Sequence, residues 1–374
     1  MRRLYHVPLA GASYFVVTIL LGVAAAYRPN NLLVWAFSAM LAGVIVSGVI
    51  SGGMLVRLRL TRLEPRPGRV GEPMALRYAV RNRARWWPLF DLSIEEAPVA
   101  GAHGWNASGR IAPAWILHAG PDEVAHVEGT FMPMRRGRFH FETIQAASSF
   151  PFGLLRKIVV FRQPSDVLVL PAIRSLKPGV LRMLAPRGMG GVRTSTAAGP
   201  GVDFLGVREY RPGDSPRQIA WRRRAGLEDL VTIERSTQAP PRVRVVLDLV
   251  RPTKQLRVDA GPEAFARARA LEEDAITLTA SLLAAADREG YEYALEMNGT
   301  GQPATLLRRG HWHLQRLMIM LASIDLDAAR VEQRRSDRDE RTALVMIHVD
   351  RVDLAHDRPG ALHLAATRLG DLIA

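Results

Sequence analysis

The chain opens with two long stretches of apolar residues, followed by a polar, arginine-rich remainder. Residues 7–27 and 31–56 contain no charged side chain. Each stretch is long enough for a membrane-spanning helix, which needs ~20 predominantly apolar residues. Pro29 and Asn30 lie in the short link between them, and these residue types favour the end of a helix. The pattern therefore predicts a transmembrane helical hairpin over residues 1–56.

The charges around this hairpin predict its orientation. Arg2 and Arg3 precede the first stretch and Arg28 lies in the link, whereas five arginines follow the second stretch: Arg57, Arg59, Arg62, Arg66 and Arg69. Positively charged flanks stay on the cytoplasmic side, so we expect a multi-pass cell-membrane protein whose soluble part is cytoplasmic. A cleaved signal peptide is the alternative for the first stretch, although that stretch exceeds the usual apolar region of ~7–15 residues.

Short runs of alternating apolar and polar residues follow the hairpin. Turn residues separate the runs, which cover 74–80, 89–94, 124–131, 138–144 and 155–161. A period of two residues with frequent turns is typical of antiparallel strands. We therefore expect a β-sandwich-like domain over residues 57–170, followed by a connector over residues 171–241.

The last part of the chain alternates strand-like and helix-like periods. We expect strands at 243–249, 291–297 and 343–349, and helices at 262–288, 312–324 and 362–369. Strands that alternate with helices predict a parallel sheet, so residues 242–374 should form a Rossmann-like α/β domain. Ligands bind beyond the carboxyl ends of such strands, where Asp248 and Asp350 lie. The whole pattern predicts a multidomain fold with a transmembrane α-hairpin, a β-sandwich and an α/β domain.

Composition limits the chemistry that the chain can carry. Among 374 residues, 48% are hydrophobic and 23% are charged, which excludes a disordered or wholly membrane-embedded chain. The absence of cysteine excludes disulfides, thiol nucleophiles and cysteine-bound metal centres. The formal net charge of +14 suits nucleic acid, an anionic membrane surface or an acidic protein as a partner.

The most distinctive segment of the chain covers residues 206–225, GVREYRPGDSPRQIAWRRRA. Pro212 and Gly213 predict a turn after a strand. Ser215 and Gln218 have the spacing of a capping box, with a proline between them that suits the first helical position. The segment therefore predicts a strand, a turn and the start of a helix.

The charged and aromatic residues of this segment predict either a structural ion network or a docking surface. On the expected helix, Arg217, Trp221 and Arg224 share one face, where a guanidinium group can stack on the indole ring. Glu209 and Asp214 lie close enough in sequence to pair with some of these arginines. Both interpretations stay open at the level of the sequence.

The segment resembles the signature of the domain of unknown function 58 family. The resemblance is carried by Arg208, Glu209, Tyr210, Pro212, Gly213, Asp214, Arg217, Ile219, Trp221 and Ala225. The shorter motifs at 136–137 and 151–154 and the N-terminal hairpin agree with it. The resemblance implies a membrane-anchored accessory protein with a von Willebrand factor A-like C-terminal domain. It also implies that the protein works with a MoxR-type AAA+ ATPase in assembling or activating other proteins.

The expected contact with this partner involves residues of the segment and one arginine beyond it. The partner-binding candidates are Arg208, Glu209, Tyr210, Asp214, Arg217, Trp221 and Arg251. Beyond a protein partner, we expect the lipid bilayer as a contact of the chain.

Von Willebrand A domains often hold Mg²⁺ through an Asp-x-Ser-x-Ser run, and the matching run here begins at Asp248. Val250 and Pro252 replace the two serines and supply no side-chain oxygen, whereas Mg²⁺ needs near-octahedral oxygen ligands. We therefore expect a degenerate site without metal and no cofactor. Arg251 would place its guanidinium group where the cation would sit, paired with Asp248 or Asp350.

Other function classes find less support in the sequence. His311 and His313 lack further ligands for a zinc site, so we interpret them as a polar pair at a helix start. No Gly-x-Ser-x-Gly motif is present, so we expect no enzyme activity and no small-molecule substrate. The arginines at 222–224 lie inside the family signature and no nucleic-acid-reader motif is present, so we expect no nucleic acid. Two alternatives stay open: a nucleic-acid binder using residues 222–224, and a metal-dependent hydrolase using Asp248 and Asp350.

Overall fold

The chain forms two compact units, Met1–Ala172 (unit 1) and Ile173–Ala374 (unit 2). The computed structural model describes residues 2–28, 30–96, 109–178, 180, 194–198, 204–221, 230–238, 240–250, 261–331, 342–350 and 360–373. Each unit has buried apolar side chains of its own.

Unit 1 contains two long apolar helices, as the sequence predicts. Helix α1 covers Leu9–Tyr27 and helix α2 covers Asn31–Met54. The Asn30 side chain caps α2 by accepting a hydrogen bond from the Leu32 N–H at 3.0 Å. Both helices are long and apolar enough to cross a membrane, and only 11% and 6% of their apolar windows is buried. Because a core helix hides most of its surface, this exposure favours contact with lipid over a place in a protein core.

A short strand precedes the first helix, and the hydrophobic pattern gives no sign of it. Strand β1 covers Arg2–His6 and pairs antiparallel with β10, Arg156–Leu170, so that Arg3 lies opposite Val159. Strand β2, Leu58–Arg62, begins shortly after helix α2. Strands of unit 1 therefore hold both ends of the helical pair, and the chain enters and leaves the pair at the same end of the unit.

The two helices contact each other through glycines and one hydroxyl group. The Tyr14 hydroxyl donates a hydrogen bond to the Met40 carbonyl at 3.1 Å. A Cβ atom at Gly43 would lie only 2.8 Å from the same hydroxyl, and one at Gly22 would lie 2.8 Å from the ring of Phe37. Glycine at both positions lets the helices approach closely.

Two sheets form the rest of unit 1. The first has the strand order β1-β10-β9-β5-β7, and β3 also pairs with its strand β10. The second has the strand order β2-β4-β8-β6. The remaining strands are β3 (Gly68–Arg69), β4 (Met74–Asn82), β5 (Leu89–Glu96), β6 (Gly109–Ala112), β7 (Ala114–Ala119), β8 (Val124–Pro133) and β9 (Gly137–Ser148). The pairings are antiparallel apart from that of β3 with β10. Every run predicted as a strand in this region forms one.

The two sheets share one hydrophobic core. Its fully buried members include Tyr78, Phe131, Phe141, Leu76, Ile94 and Ile144. The rings of Phe131 and Phe141 meet edge to face, with centroids 5.5 Å apart, a favoured geometry for aromatic pairs.

An ion pair lies inside this core. Arg62 donates from Nε and Nη2 to the two carboxylate oxygens of Glu96 at 2.9 and 2.5 Å, and both side chains are almost fully buried. The Tyr78 hydroxyl donates to Glu96 at 2.8 Å, and Arg62 also donates to the Gln163 carbonyl at 2.6 Å. Burial, and then the charge of Glu96, raises the pKa of Tyr78. The network joins strands of both sheets.

Unit 2 contains a parallel sheet with the order β15-β14-β16-β17. Its elements are β14 (Arg242–Asp248), α3 (Pro262–Arg288), β15 (Glu292–Asn298), α4 (His311–Ala322), β16 (Ala343–His348), β17 (Leu362–Ala365) and α5 (Leu369–Leu372). Helix α3 begins and ends where the sequence predicts it, and the parallel sheet is confirmed.

The prediction of a C-terminal helix over 362–369 is wrong for residues 362–365, which form a strand instead. Leu362–Ala365 forms β17, and a 3₁₀ turn at Ala366–Arg368 precedes α5. Without β17, strand β16 would expose unpaired backbone N–H and C=O groups along its edge. Pairing with β16 satisfies these groups and outweighs the weak helical periodicity of this short run.

Candidate functional site

The distinctive segment lies on a small antiparallel sheet of unit 2. This sheet has the order β11-β13-β12, with β11 at Thr194–Ala198, β12 at Phe204–Glu209 and β13 at Val231–Gln238. Arg208 of β12 lies opposite Thr232 of β13. The turn that follows contains Gly213 with a φ of +106°, a conformation that favours glycine. Ile219 then forms a bridge to Thr232, so residues 208 and 219 both pair with β13.

Asp214 is the centre of a hydrogen-bond network in this turn. Arg208 donates from Nη2 to Oδ1 at 2.7 Å and from Nη1 to Oδ2 at 2.9 Å. The backbone N–H of Arg211 and the hydroxyl of Thr232 each donate to Oδ2 at 3.0 Å. Arg208 also donates from Nε to Glu234 at 2.9 Å. Arg208 and Asp214 therefore hold the turn against β13.

These contacts determine the charge states of the network. The hydrogen bond from Arg208, and then that from the Arg211 N–H, lowers the pKa of Asp214 to about 2. Pairing with Asp214 raises the pKa of Arg208. The pair stays charged at neutral pH, and its geometry favours the structural ion network for these two residues.

The expected helix starting at Ser215 does not form in the described residues. Only a 3₁₀ turn is present at Pro216–Gln218, and Ser215 makes no capping hydrogen bond. Ile219 has extended backbone angles, φ −72° and ψ 130°, and is buried. The Ala220 N–H donates to the Val231 carbonyl at 2.9 Å. Burial of Ile219 and pairing with β13 outweigh the local preference of a capping box.

The remaining candidates of the segment face solvent to different degrees. Trp221 is 54% exposed, and its Nε1 donates to the Pro216 carbonyl at 3.2 Å. Arg217 is exposed and, in the part of the chain that the structure describes, its side chain makes no hydrogen bond or ion pair. Glu209 is exposed and Tyr210 is half-buried. Glu209, Arg217 and Trp221 are thus the exposed partner-binding candidates of the segment.

A second polar group lies at the carboxyl edge of the parallel sheet. Asp248 and His348 are register neighbours on β14 and β16. Asp248 Oδ2 lies 3.6 Å from His348 Nδ1, and His348 Nε2 lies 2.9 Å from Nδ1 of His363. The two imidazole rings are parallel within 3°. A carboxylate followed by two imidazoles can hold and move a proton.

The carboxyl edge also carries Asn298, which the sequence did not single out, and Asp350, which it did. Asn298 lies opposite Asp248, is 7% exposed, and its Oδ1 has no hydrogen-bond partner among the described residues. Asp350 follows β16 and is half-buried. Arg251 and Arg224 lie outside the described residues. Within those residues, the structure groups no three histidine or acidic side chains that could hold a metal ion.

His311 and His313 lie at the start of helix α4, as expected. His313 Nε2 lies 3.1 Å from the Tyr293 carbonyl, and the two rings pack at 5.1 Å. The Tyr293 hydroxyl donates to Asp287 at 2.8 Å. Burial, and then the hydrogen bond to Asp287, raises the pKa of Tyr293. His313 therefore fixes α4 to the edge strand β15.

The residues that complete both polar groups were not found from the sequence. Thr232 and Glu234 alternate along β13 and meet Arg208 and Asp214 only through strand pairing. A signal for His348 was present, because it is a polar residue at the end of the apolar run in β16. No comparable signal marks His363, because β17 itself was not predicted.

In comparisons with known proteins, no protein-family model matches the chain, and no curated protein matches it. Function therefore has to be argued from the sites themselves.

Proposed function

We propose that the protein is a membrane-anchored, cytoplasm-facing adaptor that binds an AAA+ ATPase of MoxR type during the assembly or activation of other proteins. The proposal places the chain in the domain of unknown function 58 family. It treats the two sheets of unit 1 as a β-sandwich and the parallel sheet of unit 2 as part of a von Willebrand A-like domain.

The observation that carries the proposal is the exposure of Arg217 and Trp221 just after a turn that hydrogen bonds hold in place. Tryptophan and arginine are the residue types that most often dominate protein interfaces. Asp214 accepts four hydrogen bonds that fasten this turn: two from Arg208 of β12, one from the Arg211 N–H and one from Thr232 of β13. Because hydrogen bonds already order the turn, the turn itself loses little conformational entropy when a partner binds.

The helical pair supports the anchoring part of the proposal. The two apolar helices expose most of their surface, and strands of unit 1 hold both ends of the pair. Arg2, Arg3, Arg57 and Arg59 lie at these ends. Positively charged flanks favour the cytoplasmic side of the bilayer, so the soluble part would face an ATPase in the cytoplasm.

A crosslinking pull-down from native membranes tests the proposal. The full-length protein is compared with an Arg217→Ala/Trp221→Ala variant, which leaves the Asp214 network intact. Trp312→Ala/Arg316→Ala is the matched control, because it removes the same residue types from an exposed face of helix α4. We expect the wild type and the control to recover an AAA+ ATPase and the first variant to lose it.

One outcome would contradict the placement of the interface, and another would contradict the ATPase partner. Equal recovery of the ATPase by all three proteins would make Arg217 and Trp221 irrelevant to the interface. Recovery of nucleic acid without an ATPase would favour the nucleic-acid-binding alternative, and a mobility-shift assay over a range of salt concentrations would then measure the phosphate contacts.

A further inference from the structure

A cleft lined by arginines lies where helix α2 joins the sheets of unit 1. It has a volume of about 660 Å³, begins at Val56 and is lined by Arg57, Arg59 and Arg83, with Phe161 on one wall. All three arginines are exposed. Among the residues that the structure describes, none of the three forms an ion pair with an acidic side chain.

The strand pairing places these arginines beside one another. The Arg83 N–H donates to the Arg57 carbonyl at 3.1 Å, and Arg59 lies directly opposite Arg81. Arg81 has an acidic partner, Asp122, at 3.0 Å. Like charges that face each other across strands destabilise a sheet. Arg57, Arg59 and Arg83 have no such acidic partner among the described residues, so an anion bound in the cleft would offset the repulsion among these three.

Exposed aromatic side chains follow the cleft residue Arg83 along the chain, in the loop between β4 and β5. Trp86 is 77% exposed and Trp87 is 47% exposed, and the Arg85 guanidinium lies 5.6 Å from the Trp86 ring centroid. The fully buried Asn82 accepts a hydrogen bond from the Ala84 N–H at 3.0 Å and donates to the Trp87 carbonyl at 2.8 Å. The Asn82 side chain therefore fastens both ends of this loop, at Ala84 and at Trp87.

The cleft and the tryptophan loop lie at the end of unit 1 that carries the helical pair. Strand β4 ends beside Leu58, just beyond the end of α2. On the other side, a Cβ atom at Gly11 in α1 would overlap the Leu154 carbonyl, so the turn before β10 abuts the first helix. The same turn carries Phe152, which is 57% exposed. Tryptophan and basic residues are enriched where a protein meets lipid headgroups.

We infer that this end of unit 1 is a binding site for anionic phospholipid headgroups. Arg57, Arg59 and Arg83 bind the headgroup phosphate in the cleft, and Trp86 and Trp87 lie in the interfacial layer beside it. The inference rests on the proposed membrane anchoring and deepens it, because it makes the folded part of unit 1 a second contact with the bilayer. A lipid phosphate and free phosphate share the same charge, so the test must separate them.

Binding of soluble short-chain phospholipids to the full-length protein in neutral detergent tests the inference. Tryptophan fluorescence is recorded during titration with dihexanoyl phosphatidylglycerol, dihexanoyl phosphatidylcholine or inorganic phosphate. Arg57→Gln/Arg59→Gln/Arg83→Gln removes the site. The matched control, Arg66→Gln/Arg135→Gln/Arg138→Gln, removes the same charge from exposed positions at the opposite end of the strands.

We expect the wild type and the control to bind phosphatidylglycerol in preference to both other probes. The first triple variant should bind it on the order of 100-fold more weakly, since each basic residue near a membrane surface contributes about fivefold in affinity. Trp86→Phe/Trp87→Phe should abolish most of the fluorescence change. Equal affinity of both triple variants, or binding of inorganic phosphate as tight as that of phosphatidylglycerol, would overturn the inference.

Alkaline carbonate extraction separates failure of this inference from failure of the proposed anchoring. Wild type and all variants should stay in the membrane pellet, because the helices are unchanged. Retention together with no preference for phosphatidylglycerol would contradict the lipid site alone. Release of the wild-type protein would contradict the anchoring on which the site depends.

Discussion

At the scale of single residues, Asp214 is expected to determine the stability of the turn, whereas its neighbour Ser215 is not. Asp214→Asn removes the charge that accepts two hydrogen bonds from Arg208, so we expect a lower unfolding temperature for unit 2. Ser215→Ala is the matched control and should change stability by no more than about 0.5 kcal/mol, because Ser215 makes no capping hydrogen bond. Thermal unfolding followed by circular dichroism measures both.

The direction in which stability changes with pH tests the same contact between Asp214 and Arg208. The folded-state pKa of Asp214 is lowered to about 2, so its contribution is fully present above the unfolded value of ~3.9 and is lost as the pH falls toward 2. Wild type should therefore lose more stability than Asp214→Asn between about pH 4 and pH 2. Parallel pH profiles for the two proteins would mean that the Arg208 contact does not form in solution.

The buried Arg62–Glu96 pair gives a second expectation at this scale. Glu96→Ala leaves the Arg62 guanidinium charged and buried without its carboxylate, which costs about 3–5 kcal/mol in such sites. The exposed pair Arg77–Glu128 is the control, and Glu128→Ala should cost at most about 1 kcal/mol. Chemical unfolding in detergent measures the two differences. A cost for Glu96→Ala as small as that of the control would show that water reaches Arg62.

Pairs of this kind could not be predicted from the sequence. Arg62 and Glu96 are 34 positions apart, and nothing in either local pattern points to the other. For Asp214, the sequence predicted pairing with an arginine of the segment, but with Arg217 or Arg224 rather than with Arg208. Partner choice for charged side chains depends on strand register, which a single sequence leaves undetermined.

At the scale of elements, length decides what the pattern predicts. Helix α3 has 27 residues, and its bounds follow from its periodicity and from the proline at its start. Strands β1 and β17 have five and four residues, too few for a period to stand out. They form because they satisfy the edges of β10 and β16, so their existence depends on tertiary pairing.

Packing between α1 and α2 should be sensitive to volume at Gly22. Gly22→Leu would force the Phe37 ring away from α1, and inserting atoms into a packed contact typically costs about 1–3 kcal/mol. Gly53→Leu is the control, because no atom lies within 4 Å of a Cβ at that position. Unfolding in mixed micelles, followed by far-ultraviolet circular dichroism, should show a lower midpoint for the first variant alone. Equal midpoints would indicate that the helices are not in contact there.

At the scale of the whole molecule, the two units differ in how they meet their surroundings. Unit 1 combines a core shared by two sheets with helices that expose most of their apolar surface. Unit 2 has a core built around α3 and the parallel sheet, and no described helix in it is a candidate membrane span. Membrane contact and partner contact are thus assigned to separate units in the proposed function.

This division predicts the behaviour of the two units when each is expressed alone. Residues 1–172 should sediment with membranes and need detergent for extraction, because exposed apolar helices favour lipid over water. Residues 173–374 should stay in the supernatant, because their buried apolar side chains form a core without the helices. High-speed centrifugation with immunoblotting measures the distribution of both fragments. Sedimentation of residues 173–374 with protein-free liposomes would contradict the division, since no helix in the described part of unit 2 is a candidate membrane span.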